Sequence, residues 1–272
     1  GFLRFMLLNG IILPFRARQS AKLYQAIWTK AGSPLQVYSN ALSDKLTKAL
    51  GPDYVVVQGM RYGDPGIKTA LKKLDGVSKL IVLPLFPQYS SAATGSVIEA
   101  VLNEIKSGWN FPEIRVGNQV YDHPGFIAAY AGLIKTHHQA DFTLFSYHGL
   151  PERHVEKRGC SQGCDKRKAC PAISDANAFC YRAQCFETTR LLAKALNLKS
   201  SAYQTAFQSR LGRIPWIKPY TEDVLPNLIK QGVKQINVVC PAFTVDCLET
   251  LEEIGFRAKT RWREPGVETF TL

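Results

Sequence analysis

Three groups of side chains have the types and spacing to do chemistry. The first is His148 in "SYHGLP" (Ser146–Pro151), where glycine permits a tight turn and proline stiffens the chain beyond it. Its imidazole can take a proton near neutral pH or bind a metal. The second is "CPAFTVDCLETLEEI", which carries Asp246, Glu249 and Glu253. On a helix starting near Asp246, spacings of three and four put these carboxylates on one face and leave Glu252 off it. The third is a run from Gly159 to Cys185 holding five of the seven cysteines, spaced Cys160-x3-Cys164-x5-Cys170-x9-Cys180-x4-Cys185. Four thiolates suit an iron–sulfur cluster or tetrahedral zinc. Each group also has a plain structural alternative: a hydrogen-bonded histidine, a helix N-cap with solvated acids, or free thiols.

Position favours the chemical readings, and position depends on the elements that carry these residues. Candidate strands are Tyr54–Gln58, Lys79–Phe86, Glu113–Val120, Asp141–His148, Ser201–Gln208 and Lys234–Cys240. Helical patterns lie between and around them at Asn40–Leu50, Pro65–Leu74, Ser96–Ile105, Pro124–Thr136, Cys180–Leu196, Thr221–Lys230 and Asp246–Ile254. Nearly continuous apolar strands alternating with helices predict an α/β chain with doubly wound parallel sheets covered on both faces. Ligands in such folds bind beyond the carboxyl ends of the strands. His148 ends one strand, Gln208 another, and Asp246 and Glu249 come after a third. "KLIVLPLF" and "QINVVCPAF" each run strand, proline, phenylalanine, helix, which suggests two similar halves, 1–122 and 123–272.

Bulk properties narrow the partners. The chain has 272 residues, 46% of them hydrophobic, and a formal charge of +12, which suits an anionic ligand or an anionic lipid surface. Its basic residues are scattered and no nucleic-acid motif appears, so nucleic acid is excluded as the expected partner. No apolar run reaches the length of a membrane span. The opening "GFLRFMLLNGIILPF" lacks a small-residue cleavage site and reads as a buried or membrane-surface segment. Crowded cysteines without a secretory signal point to metal in a reducing compartment rather than to disulfides. "LFPQYSSAATGS" lacks the spacing of a nucleotide phosphate loop.

Taken together, the strings "LNGIILPFR", "SAKLYQAIW", "MRYGDP", "LFPQYSSAATGS", "SYHGLPER", "TAFQSRLGRIPW", "PYTEDVL" and "CPAFTVDCLETLEEI" resemble ferrochelatase over nearly the whole chain. The resemblance implies a pair of Rossmann-like, chelatase-type domains. It also implies insertion of Fe2+ into protoporphyrin IX with release of two protons. By resemblance, His148 is the family's proton acceptor or metal ligand and Glu249 its catalytic glutamate. Asp246 and Glu253 match an acidic line that carries metal or protons. Tyr24, Arg61, Tyr62, Tyr89, Trp216 and Phe243 match positions lining the porphyrin cleft. Coproporphyrin as substrate, or a non-catalytic porphyrin-binding protein with a redox-sensing cluster, are the alternatives.

Departures from the family pattern add expectations. The usual opening strand, ending near a "VNLGTP" loop, is absent, so the first half is expected to lack a strand and the chain to be a fragment. Cys247 stands where animal members have histidine. The insertion at 159–185 resembles the internal segment by which a subset of ferrochelatases ligates a [2Fe–2S] cluster. Cys160, Cys164, Cys170 and Cys180 are the expected ligands, with Cys185 spare and zinc the alternative metal. The expected location is cytoplasmic, peripheral at the inner membrane.

Overall fold

The computed structural model describes residues 6, 13–108, 111–117, 119–137, 140–157, 168–263 and 269–272. Cys160 and Cys164 lie outside these residues. The elements run α1 (Leu13–Ile27), α2 (Pro34–Leu50), α3 (Ile67–Lys72), β1 (Lys79–Val82), α4 (Ser96–Ile105), β2 (Glu113–Val116), α5 (Pro124–His137), β3 (Phe142–His148), α6 (Glu152–Val155), α7 (Tyr181–Ala195), β4 (Tyr203–Gln208), α8 (Thr221–Lys230), β5 (Gln235–Val239), a π-helix (Glu249–Ala258), α9 (Lys259–Arg263) and β6 (Thr269–Thr271).

Two parallel sheets form, as the alternation of strands and helices predicts. β1 pairs with β2, and the second sheet has the order β4-β3-β5-β6. β3 is central because its first six residues are buried on both faces, the signature of a strand covered by helices on either side. Phe145, Tyr147 and Leu192 pack with α5 and α7 on one face. Leu144, Ile236 and Val238 pack with α8, the π-helix and α9 on the other. Burying one such side chain contributes about 1.5–3 kcal/mol, so these two clusters anchor the second sheet. A smaller cluster of Ile67, Leu80 and Val101 holds α3 and α4 to β1.

Chain order turns at β3. From β3 the chain crosses to β4 on one side and then returns to β5 on the other. This is a topological switch point, and the crevice beyond its carboxyl ends is where open parallel sheets bind ligands.

Three expectations differ from the structure. Tyr54–Gln58 forms no strand: among the described residues nothing pairs with it, and its Val55 is 65% exposed. A β-rich string becomes a strand only where a partner edge supplies its hydrogen bonds. β1 and β2 are also shorter than their apolar runs, with four residues each. Finally, the helix expected from Asp246 begins only at Leu248 and continues as a ten-residue π-helix, Glu249–Ala258, leaving Asp246 in the preceding loop.

Candidate active site at the switch point

His148 is the last residue of β3 and the first there to escape full burial. Three contacts fix its backbone and ring. Its carbonyl accepts from the Tyr181 hydroxyl at 2.8 Å. Its ring Nδ1 lies 2.6 Å from the Gly149 carbonyl, which leaves Nε2 as the nitrogen available to a ligand. Gly149 donates its N–H to the Gln208 carbonyl at 2.8 Å. Glycine is required at 149, because a Cβ there would meet that carbonyl at 2.8 Å and the Trp216 ring at 3.2 Å. The tight turn predicted after the histidine is therefore a close approach of two strand ends.

Aromatic rings flank the histidine. Trp216 stands 6.4 Å and Phe243 6.2 Å from its ring, centroid to centroid. Trp216 is held by its indole N–H donating to the Leu211 carbonyl and by a bridge to Pro151. The Phe243 carbonyl is tied down by the Tyr130 hydroxyl. Two of the predicted cleft residues thus meet at His148.

The carboxylates come from the π-helix. Glu249 opens it, and its carbonyl accepts from the buried Gln208 side chain at 2.8 Å. Glu253 lies one turn on and is clamped by Ser209, whose N–H and hydroxyl donate to its two oxygens at 2.8 and 2.7 Å. Ser209 adopts φ 65°, a conformation non-glycine residues take only where surroundings compel it. Spacing of four keeps Glu249 and Glu253 neighbours, as predicted. Asp246 is not on their helix. It accepts from the Thr250 hydroxyl at 2.9 Å, and that hydroxyl in turn accepts from the Cys247 N–H at 3.0 Å. Glu252, off the predicted line, pairs with Arg257 at 2.7 Å.

Electrostatics mark this as one acidic compartment. Burial, and after it the charge of Glu249, pushes the Cys247 thiol up to about 12. Burial raises Cys240 as well, with Cys247, Asp246 and Glu253 adding to it. Tyr24, on α1, has its hydroxyl raised first by burial and then by Glu249, so α1 brings this tyrosine to the glutamate.

The remaining predicted residues are more scattered. Tyr89 is half-buried after β1, its N–H donating to the Gln184 side chain at 2.7 Å. Arg61 stacks 4.8 Å over Tyr62, and both are exposed. Among the described residues, none of the contacts that gather His148 and Glu249 includes this pair. Three residues were not predicted as site residues: Gln208, Tyr181 and Gln184. Gln208 was detectable as a polar residue ending a buried strand; the other two sit in an unremarkable helix.

Cysteines 170, 180 and 185 are all buried, in the core cluster shared by β3 and α7. The Arg182 guanidinium, 2% exposed, donates to the Cys170 sulfur at 2.9 Å and to two backbone carbonyls. Burial pushes the Cys185 thiol well above its ordinary value. Among the described residues, no three histidine, cysteine, aspartate or glutamate side chains group to hold a metal.

Comparison with known proteins gives the family. The sequence model of the ferrochelatase family matches residues 2–272. Ferrochelatase from Legionella pneumophila is 51% identical over 270 residues, 99% of this chain and 81% of that protein. Ferrochelatase from Coxiella burnetii strain Dugway 5J108-111 is 51% identical over 276 residues, 99% of this chain and 77% of that protein. A family match across residues 2–272, with 51% identity over 99% of the chain, shows that the chain belongs to the ferrochelatase family.

Proposed function

We propose that this protein inserts Fe2+ into protoporphyrin IX, releasing two protons and yielding protohaem. The observation that carries the reading is the placement of His148 between the Trp216 and Phe243 rings, joined through Gln208 to Glu249. A flat apolar macrocycle suits such walls, and the net charge of +12 suits its propionates. Insertion needs two pyrrole N–H protons removed and Fe2+ stripped of water. His148 Nε2 is the first acceptor and Glu249 its carboxylate partner. Glu253 and Asp246 extend the acidic compartment by which metal enters or protons leave. Tyr24, Arg61, Tyr62 and Tyr89 supply further cleft wall. Bending the ring exposes its nitrogens, and remote contacts must offset that distortion.

The two sheets support a division into halves at 1–122 and 123–272, with His148, Glu249 and Glu253 in the second. The cysteine-rich segment is read as a [2Fe–2S] site held by Cys160, Cys164, Cys170 and Cys180. Support comes from the burial of Cys170 and Cys180 and from the Arg182 donor beside Cys170. A bound cluster would supply one-electron redox chemistry or a structural staple. Anaerobic protein should contain iron and inorganic sulfide in equal amounts and give an EPR signal on one-electron reduction; zinc without sulfide overturns the assignment.

Among the described residues no helix is long and apolar enough to cross a membrane. A peripheral place at the cytoplasmic face of the inner membrane is supported by the basic charge and by exposed Tyr24, Trp28 and Tyr38 on α1, the turn after it and α2. The deciding experiment measures Fe2+ insertion into protoporphyrin against coproporphyrin. Faster turnover of coproporphyrin would change the substrate, and binding of either without turnover would favour a porphyrin carrier.

A further inference from the structure

The first turn of α7 touches both walls of the site and the cysteine segment. Cys180 immediately precedes the helix, at its N-cap position. Tyr181 is next, its hydroxyl donating to the His148 carbonyl at 2.8 Å and also hydrogen-bonded to Cys185 one turn along. Gln184 lies on the same face. Its Oε1 accepts from the Tyr89 N–H at 2.7 Å, while its amide donates to the Ala178 carbonyl and to Gln119 at 2.6 and 2.7 Å. Arg182, on another face, reaches the Cys170 sulfur. Tyr181 and Gln184 are 7% and 0% exposed, so neither can hold substrate. Tyr181 instead holds the backbone of His148, and Gln184 that of Tyr89, a residue the chelatase reading assigns to the cleft wall. The two strand-end loops belong to different sheets, and this turn is where both are tied to one rigid element.

We propose that Tyr181 and Gln184 are positioning residues for metal insertion, Tyr181 fixing the strand end that presents His148 and Gln184 fixing the loop that presents Tyr89. This rests on the chelatase reading of His148. The two bonds do different work. The Tyr181 bond sets where the proton acceptor sits relative to the macrocycle, so its loss acts on turnover. The Gln184 bond sets a wall the macrocycle touches in every bound state, so its loss acts on affinity. The same turn begins at Cys180, so whatever occupies the cysteine segment is mechanically joined to both walls.

Two near-isosteric variants test this in the full chain. Tyr181→Phe removes the hydroxyl's bonds to the His148 carbonyl and to Cys185, and should lower kcat for Fe2+ insertion by roughly fivefold to tenfold with KM for porphyrin unchanged. Gln184→Met should raise that KM by roughly fivefold and leave kcat within about twofold. Metal-free porphyrin titration by fluorescence reads the same split on folded protein alone: Kd unchanged in the first variant and weakened in the second. Variants that alter the same parameter, or neither parameter, overturn the proposal, as does a parallel loss that merely tracks a lowered melting temperature. His148→Ala is the control. Insertion surviving in it removes the chelatase reading and this proposal together; insertion abolished in it, without the split, removes this proposal alone.

Discussion

The Gln208 amide donates to the Glu249 carbonyl at 2.8 Å while Gln208 itself stands in register with His148. One buried side chain therefore sets the spacing between the histidine on β3 and the glutamate on the π-helix. Its Oε1 accepts from the Ser146 hydroxyl at 2.6 Å. Gln208→Leu removes the side-chain donor to the Glu249 carbonyl and one of two partners of the Ser146 hydroxyl, which keeps Thr221 at 2.8 Å, at about 0.5–1.5 kcal/mol for each hydrogen bond lost. We expect a lowered melting temperature and at least a tenfold drop (order of magnitude) in insertion rate with porphyrin binding retained, since misplaced reacting groups cost rate first. A variant with parental kcat would show that the register of the two residues is not set here.

His148→Ala and Glu249→Ala should each bind porphyrin near the parental Kd yet insert Fe2+ roughly 10²–10⁴-fold more slowly, the range for loss of a positioned acid or base. Fluorescence titration measures the binding and anaerobic stopped-flow the insertion. Turnover unchanged in both would refute the roles assigned to them.

Gly149→Ala places a methyl 2.8 Å from the Gln208 carbonyl, and the obstacle is backbone. The strand ends must part, so the variant should lose about 1–3 kcal/mol of stability, as overpacked sites do. The same substitution at Gly132, whose Cβ would meet nothing within 4 Å, is the matched control and should be neutral or stabilising in chemical denaturation.

Stability should fall with rising pH in the alkaline range. The folded-state Cys247 thiol is raised from 9.0 to about 12, burial being the main cause and Glu249 the second. Below 9.0 both folded and unfolded chains keep the proton, so the contribution is fully present. Between that value and about 12 only the unfolded chain loses it, and stability drops by up to ~1.4 kcal/mol per pH unit per thiol. Cys240 and Cys185 are raised in the same direction by burial and add to the loss. Urea midpoints measured from about pH 8 to about pH 11 should decline, and Cys247→Ser should flatten part of that decline. A midpoint independent of pH across this range would contradict the buried, protonated thiols.

The acid line shows where spacing was enough and where it was not. Glu249 and Glu253, four apart, are neighbours on any helix, so a sequence pattern finds them. Asp246 fits the same pattern, yet it lies ahead of the helix, where the Thr250 hydroxyl takes the Cys247 N–H, a local side-chain bond that competes with helical backbone. Nor does apolar periodicity reveal that the helix is of the π type. Tyr54–Gln58 shows the same limit for strands: β propensity is local, whereas the partner edge is not.

By itself the sequence determined the α/β class, the central buried strand ending at His148, the glycine directly after it and the crowding of cysteines. These are set by residue type and periodicity within one segment. Tertiary structure decided which distant side chains meet. Gln208 joins His148 to Glu249, Ser209 is strained to clamp Glu253, and the first turn of α7 ties the cysteine segment to two walls of the site. Those contacts span tens of residues, and only the crossing of β3, β4 and β5 at one switch point brings them within hydrogen-bonding distance.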